Sequence, residues 1–286
     1  MAREAVVAGM FYEGAEKRLK QQIEGCFKSE FGPGKLPGKA GSGRVVGAIS
    51  PHAGYLYSGA GAAWVYKEIA ESQMPDVFVV LGTNHTGMGS TSTLLDDWRT
   101  PLGNAKVDKE FGKTLIENSI VADNEDAHMQ EHSIEVQLPF LQYVYGEKLK
   151  FVPVMVSQFI PYEKLAEGIK KAAEITKKKV CVIASSDFTH FGANYGYVPF
   201  EKHVKNSLYH LDRQAIDLIC SLNVNGFHDF VERFRATICG FAPITVLMEY
   251  CKLMGVKGKL LKYYTSGDIV GDYSNAVGYG AIVFKK

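Results

Sequence analysis

The chain has few cysteines, and none of them form a C-x-x-C pair. They are scattered over 286 residues, at Cys26, Cys181, Cys220, Cys239 and Cys251. This spacing argues against a zinc ribbon or a disulfide-stapled scaffold, and it is typical of proteins kept in a reducing compartment. We therefore expect a cytoplasmic protein.

The sequence also lacks long hydrophobic runs and a charge excess of either sign. No apolar run approaches the roughly 20 residues of a membrane-spanning helix. The opening stretch, MAREAVVAGMFYEG, has no run long enough for a signal peptide. The 32 basic and 31 acidic residues leave a formal net charge of +1, so the strongly basic field that nucleic acids or anionic membranes attract is absent. Neither nucleic acid nor a membrane is an expected partner.

Two common catalytic motifs are missing as well. The sequence contains no G-x-x-x-x-G-K-[ST] phosphate loop and no G-x-S-x-G nucleophile elbow. The glycines at 59 and 61 do not follow a strand directly, and no acidic residue stands at the distance that a Rossmann site requires. We interpret them as points of close helix packing and expect no nucleotide cofactor.

What is present is an alternation of strand-like and helix-like segments in a chain that is 46% hydrophobic. Period and length predict strands at 44–50, 76–82, 149–157, 180–186, 259–267 and 276–284, and helices at 61–72, 108–119, 162–176, 201–220, 225–235 and 241–254. A further helix is predicted from 132, where Pro139 should kink or interrupt it. The pattern favours a single α/β domain over residues 1–286, with a largely parallel central sheet and helices on both faces. The Gly- and Pro-rich loop at 31–43 could border or cover a site.

Polar side chains follow three of the predicted strands. His52 comes just after the first strand, His85 after the second, and Asp187 and His190 after the fourth. A single histidine in such a position is more often structural than a ligand. Three histidines at equivalent ends are different, because the carboxyl ends of parallel strands share the edge at which ligands bind.

Two further segments carry candidate side chains. His132 and Glu135 stand three apart in EHSIEVQ, so on a helix they would share a face and either meet one ligand or cap the helix start. Cys239 lies just ahead of a predicted helix. A helix N-terminus lowers the pKa of a thiol, which suits a metal-bound thiolate or a nucleophile. The other four cysteines are expected to be buried and structural.

In chain order, several stretches resemble the MEMO family over nearly the whole chain. They read AGMFYEG, PHAGYLYSG, LGTNHTGMG, DWRTPLG, EHSIEVQLPFL, VIASSDFTHFG, LDRQAI and TICGFAPITVL. The resemblance implies a fold similar to the LigB-like catalytic subunit of class III extradiol dioxygenases. Those non-heme iron enzymes open catechol-type rings with O₂ at a metal held by two histidines and a carboxylate, and a further histidine acts as acid and base.

Residue by residue, the resemblance implies a metal site. His52 and His85 match the two ligating histidines, His190 matches the acid/base histidine, and Asp187 accompanies it. Cys239 stands where the dioxygenases have a carboxylate. A thiolate shifts metal preference from Fe(II) toward copper or zinc. The implied cofactor is therefore an Fe(II) or Cu ion, and zinc also fits the ligand set.

Three functions follow as hypotheses. The first is a metal-dependent redox enzyme acting on a small aromatic or polar substrate in the cleft. The second is a binding module, because eukaryotic members of the family are described as binders of phosphotyrosine-containing peptides; Tyr12 and Tyr57 fall at comparable places, and the partner would be a peptide or protein. The third is a hydrolase with Cys239 as nucleophile and His190 as base.

Overall fold

The computed structural model describes residues 2–286 and contains one mixed sheet flanked by helices. The strands are β1 (Val45–Ser50), β2 (Val77–Thr83), β3 (Ser92–Thr93), β4 (Trp98–Thr100), β5 (Gly103–Val107), β6 (Ala122–Asp123), β7 (Lys150–Val156), β8 (Val180–Ser185), β9 (His190–Gly192), β10 (Lys257–Thr265) and β11 (Asn275–Lys285). The helices are α1 (Glu16–Lys28), α2 (Tyr55–Ala70), α3 (Lys109–Asn118), α4 (Leu138–Tyr145), α5 (Tyr162–Thr176), α6 (Val204–Cys220), α7 (Val224–Phe234), α8 (Phe241–Met254) and α9 (Ser266–Val270).

The centre of the sheet is parallel, as the sequence predicts. The main strand order is β10-β11-β1-β8-β2-β7-β3-β6. Strands β1, β8, β2 and β7 run in the same direction, and antiparallel pairs begin only at β11 and β3. All four central strands therefore end at one edge of the sheet, and β8 lies between β1 and β2 there.

Both faces of the sheet are covered by helices. Alternate residues of β2 point to opposite faces, so that Val79 packs in one core cluster and Phe78 in the other. The first cluster includes residues of α3 and α5 to α8, and the second includes residues of α1, α2 and α4. Strands buried on both sides read as continuous hydrophobic runs, which is why the central strands could be recognised in the sequence.

Helix α2 starts six residues earlier than the pattern predicts. Its first turns contain Gly59 and Gly61, which weaken the helical signal. A Cβ at Gly59 would stand 2.5 Å from Cys26 Sγ, and one at Gly61 would stand 3.3 Å from the Tyr264 ring. These glycines therefore permit close packing, as we interpreted them. Helix α1, which packs against α2, was not predicted.

The segment after residue 132 is not one continuous helix. A 3₁₀ turn covers Glu135–Gln137, and α4 follows with Pro139 in its first turn, where a missing N–H costs nothing. The predicted break at Pro139 is thus the start of α4. The short strands β3, β6 and β9 have only two or three residues and give no periodic signal.

The 31–43 loop is held at the far end of α2. The Gly38 N–H donates to the Glu71 carboxylate (2.7 Å) and the Gly41 N–H to the Glu71 carbonyl (2.9 Å). Because α2 leaves the edge where β1 ends and finishes at the opposite edge, these contacts place that part of the loop away from the strand ends that carry His52 and His85. Among residues 2–286, no helix combines the length and apolar character needed to cross a membrane.

Candidate metal centre

The candidate site lies at the edge where the parallel strands end. His52 stands two residues past β1, His85 two past β2, and Asp187 two past β8. Since β8 lies between β1 and β2, the three side chains meet over adjacent strand ends. They line a cleft of about 520 Å³. Its other lining side chains include Phe11, Tyr57, His132, His190, Tyr195, Ser266, Asn275 and Tyr279.

Two imidazoles that line this cleft lie close to one thiol. His52 Nε2 lies 3.2 Å from Cys239 Sγ. One ligand atom from each of His52, His85 and Cys239 lies within 4.8 Å of the other two. Imidazole nitrogen together with sulfur is a donor set for copper, zinc or iron, and three protein ligands leave a position for substrate. The residues present therefore fit a bound transition metal.

Cys239 reaches this position because the chain passes very close to the end of β8. A Cβ at Gly240 would lie 2.2 Å from Ser186 Cβ, so only glycine fits there. The Gly240 N–H donates to Ser186 Oγ (3.0 Å), and the Asp187 N–H points to Cys239 Sγ (3.3 Å). The turn before α8 is thus fastened to β8, with the sulfur turned toward His52.

The charge state of Cys239 differs from the expectation for a helix start. Burial and the nearby Asp187 carboxylate raise the pKa of the Cys239 thiol instead of lowering it. Burial and the neighbouring histidines likewise hold the pKa of His52 well below its usual value, so this imidazole is neutral and can bind a metal. A neutral thiol beside a neutral imidazole gives no support to the nucleophilic hydrolase, and the imidazole in contact is His52 and not His190.

The tautomer of His52 follows from its hydrogen bonds. Ser185 Oγ lies 2.5 Å from the Ser133 carbonyl oxygen, which can only accept, so the hydroxyl donates there. Gln137 Nε2 donates to the same hydroxyl (2.8 Å). His52 Nδ1 lies 3.1 Å from Ser185 Oγ. Because this hydroxyl has already donated its only proton, His52 Nδ1 must donate to it. The proton on Nδ1 leaves the Nε2 lone pair free on the side of Cys239.

His190 is held by backbone carbonyls and not by Asp187. Its Nδ1 lies 3.0 Å from the Phe188 oxygen and 3.1 Å from the Thr237 oxygen, both acceptors, so Nδ1 carries the proton. The Asp187 carboxylate instead accepts a hydrogen bond from the backbone N–H of His52 at 2.8 Å. Burial raises the pKa of Asp187. His190 therefore offers an Nε2 lone pair to the cleft independently of Asp187.

Of the predicted ligand-binding residues, Tyr57 and His132 line the cleft. Tyr12 and Glu135 do not: the Tyr12 hydroxyl donates to Glu135 Oε1 at 2.7 Å, and the same carboxylate pairs with Arg3 at 2.6 Å. His132 and Glu135 do not share an α-helix face, because the segment begins with an irregular stretch and a turn that lead into the 3₁₀ helix Glu135–Gln137.

One residue that the sequence reasoning left out of the site is Glu131. Its carboxylate, fully buried, lies 3.0 Å from His85 Nδ1 and 3.2 Å from His132 Nδ1. Burial alone would raise the pKa of Glu131, but hydrogen bonds from the two histidines hold this pKa well below its usual value. The signal that could have singled it out is an acidic residue directly beside His132 in a segment with no regular period.

A second buried carboxylate, Asp212, supports the segment between Asp187 and His190. It accepts hydrogen bonds from the Thr189 hydroxyl (2.5 Å) and the Tyr263 hydroxyl (2.5 Å). Burial raises the pKa of Asp212 to about 6, against an ordinary value of 3.8. The folded protein therefore holds this proton more tightly than the unfolded chain does.

This pKa predicts how stability changes with pH. Because the folded-state pKa of Asp212 is raised, its contribution to the free energy of unfolding falls as pH rises from about 4 to about 6 and is constant above that. The shift corresponds to roughly 3 kcal/mol. We expect Asp212→Asn to remove this fall, measured by urea unfolding at pH 4, 5, 6 and 7. If the free energies of unfolding of the wild type and the variant differ by the same amount at every pH, the raised pKa assigned to Asp212 is wrong.

Taken together, the fold and the site define an α/β protein with a candidate metal-binding cleft at the carboxyl edge of its parallel strands. The family model for Memo-like proteins matches residues 3–283. A MEMO1 family protein of Methanopyrus kandleri is 44% identical over 293 residues, covering 100% of both chains. MEMO1 family proteins of Desulfurococcus amylolyticus (44%, 99% of this chain and 98% of the other) and Sulfurisphaera tokodaii (42%, 99% of each) are similar throughout. The chain belongs to the Memo family.

Proposed function

We propose that the protein is a metal-dependent redox enzyme that acts on a small aromatic or polar substrate in the cleft. The observation that carries the proposal is the convergence of His52, His85 and Cys239 within 4.8 Å, where the two histidines line a cleft large enough for such a substrate. His52 is buried and Cys239 is half-buried, and these two polar donors have no evident structural purpose that apolar residues would not serve better.

The residues around the metal position have separate tasks. His52, His85 and Cys239 would hold an Fe or Cu ion, which supplies electron transfer or activation of O₂ when bound. His190 accepts the proton of a substrate hydroxyl at Nε2, because its Nδ1 is already committed to two carbonyl oxygens. Asp187 fixes the backbone of His52 through the bond to its N–H.

The walls of the cleft favour a flat substrate. Phe11, Tyr57, Tyr195 and Tyr279 contribute rings to the lining. Aromatic side chains bind planar ligands by stacked or edge-to-face contact and exclude water from them. Tyr195 also packs edge-on against His190, with ring centroids 5.1 Å apart, so a ring bound beside it would lie close to the base.

Metal content and its removal test the proposal. Protein purified without an affinity tag or chelator should contain about one equivalent of Fe or Cu by elemental analysis. An oxygen electrode should then record O₂ consumption with catechols or related phenols. Dialysis against a chelator should abolish consumption, and adding the metal back should restore it. Protein that contains no metal and takes up neither Fe(II), Cu nor Zn would overturn the proposal.

A second candidate, recognition of a peptide or protein, is favoured by the surface beside the cleft. Met10 and Leu56 are 74% and 75% exposed, and both line a shallow recess that shares Tyr57 with the cleft. Exposed apolar side chains next to a concave site are typical of docking surfaces. Equal binding of a phosphotyrosine peptide by metal-free and metal-loaded protein would favour this candidate; dependence on the metal would favour the enzyme.

A further inference from the structure

Glu131 has an unusual number of donors around its carboxylate. Oε2 accepts a hydrogen bond from the backbone N–H of His85 at 2.7 Å. Oε1 accepts from the backbone N–H groups of His132 and Ser133, each at 2.9 Å. The ring nitrogens Nδ1 of His85 and His132 lie 3.0 and 3.2 Å from Oε1. No Lys or Arg ion pair to this carboxylate occurs among residues 2–286, so these amides and imidazoles provide its stabilisation.

These contacts determine the tautomers of two histidines. An ionised carboxylate can only accept hydrogen bonds, so each ring nitrogen that faces it carries a proton. In neutral His85 and neutral His132 the proton is then on Nδ1, and Nε2 keeps its lone pair. A carboxylate that accepts the ring N–H of a metal-ligating histidine fixes its tautomer and its orientation. Here a single carboxylate serves two rings.

The two rings also share an orientation. His85 and His132 are nearly parallel, with an interplanar angle of 18° and centroids 4.8 Å apart. Because both turn Nδ1 toward the same carboxylate, both turn the opposite side, with Nε2, away from it and toward the cleft that they line. The His52 ring lies 5.1 Å from His85 and 5.4 Å from His132. Three Nε2 lone pairs are thus presented to one space.

We propose that Glu131 is a positioning residue that fixes the tautomer and orientation of His85 and His132 together. Through it, the candidate metal ligand His85 and the neighbouring His132 form one unit. His132 then acts as a hydrogen-bond acceptor for a hydroxyl group of a substrate or water bound beside the metal. The tautomer part of this inference stands without a metal, whereas the part played by His132 rests on the proposed function.

The tautomers can be measured in metal-free protein. Long-range ¹H–¹⁵N correlation spectra of protein labelled at histidine distinguish Nδ1–H from Nε2–H, and His85→Gln and His132→Gln variants assign the signals. The wild type should show Nδ1–H for both residues. In Glu131→Gln a substantial Nε2–H population should appear at both, since the amide has one acceptor atom for five donors. An Nε2–H tautomer of either ring in the wild type would overturn the proposal without any need for a variant.

The metal part is tested with Co²⁺ alone as the probe. Titration followed by the visible absorption of bound Co²⁺ should show binding about 10–100-fold weaker in Glu131→Gln than in the wild type. Asp212→Asn is the matched control, because Asp212 is also a fully buried carboxylate but binds Thr189 and Tyr263. It should leave the tautomers of His85 and His132 and the Co²⁺ affinity unchanged.

The outcomes separate this proposal from the proposed function. Wild type that binds no Co²⁺, Fe(II), Cu or Zn but shows the expected tautomers would overturn the metal enzyme and leave the positioning role of Glu131 supported. Wild type that binds Co²⁺, with equal affinity in Glu131→Gln and unchanged tautomers, would overturn the role of Glu131 and leave the metal site intact.

Discussion

A double variant, His52→Ala with His85→Ala, should lose metal affinity by more than about 100-fold while remaining folded. Removing a residue that only orients a metal ligand already lowers metal affinity about 10–100-fold, so the loss of two direct ligands must lower it further. The three donors stand within 4.8 Å of one another, and Cys239 alone cannot hold an ion against water. The measurement is competition with a fluorescent chelator for Cu or Fe(II), read beside elemental content.

The chain offers a matched control for this experiment. His210 and His228 lie on α6 and α7, outside the cleft lining. A His210→Ala/His228→Ala variant removes the same number of imidazoles and should retain the affinity of the wild type. Equal affinity in the two double variants would place the metal elsewhere in the protein, and the assignment of the cleft would then be wrong.

Cys239 changes what metal binding requires. Burial and Asp187 raise the pKa of its thiol, so the protein without metal keeps the proton on sulfur. A cation bound there would have to displace that proton, because only the thiolate is a good ligand. Metal binding at this site would therefore be coupled to proton release. A carboxylate at the same position would be ionised in advance, which is one physical difference between this site and the two-histidine, one-carboxylate arrangement that it resembles.

The strands and the histidines at their ends could be predicted because they depend on local patterns. A strand buried on both faces is a continuous apolar run, and the polar residue after it marks the edge. His52 and His85 follow such runs directly. The order of β1, β8 and β2 was not predictable from local pattern, since it depends on pairing between strands more than 100 residues apart.

Glu131 and the tautomers it sets could not be predicted for a related reason. The segment from 124 to 134 has no regular period, so no rule fixes where its side chains point. The contact between Glu131 and His85 joins residues 46 apart, and that between Cys239 and His52 joins residues 187 apart. For Cys239, the resemblance to the MEMO family supplied the link that spacing could not.

The buried pair formed by Arg3 and Glu135 was likewise invisible in the sequence. Their side chains are 1% and 0% exposed, and Arg3 Nη1 lies 2.6 Å from Glu135 Oε2. Arg3 also donates to the carbonyl oxygens of His128 (2.8 Å) and Glu131 (2.7 Å). The guanidinium lies 4.0 Å from the centre of the Trp98 ring. The N-terminal segment is thereby attached to the stretch that carries Glu131 and His132.

Breaking this pair should cost more stability than any other single ion-pair change. Arg3→Met leaves Glu135 charged, buried and short of its strongest partner, so we expect the free energy of unfolding to fall by about 3–5 kcal/mol. Adding Glu135→Gln should recover part of that loss, because the uncompensated charge is then gone and the amide oxygen can still accept from the Tyr12 hydroxyl. Urea unfolding of the two single variants and the double variant gives the coupling energy directly.

The exposed pair of Arg18 and Glu13 provides the comparison. Its side chains are 70% and 41% exposed at an N–O distance of 3.2 Å, and Arg18→Met should cost less than about 1 kcal/mol. The difference between the two arginines measures what burial adds to an ion pair. If Arg3→Met costs no more than Arg18→Met, the N-terminal segment does not stabilise the fold, and the anchoring of the Glu131 stretch must come from its other contacts, such as those of Ser133 with Thr83 and Ser185.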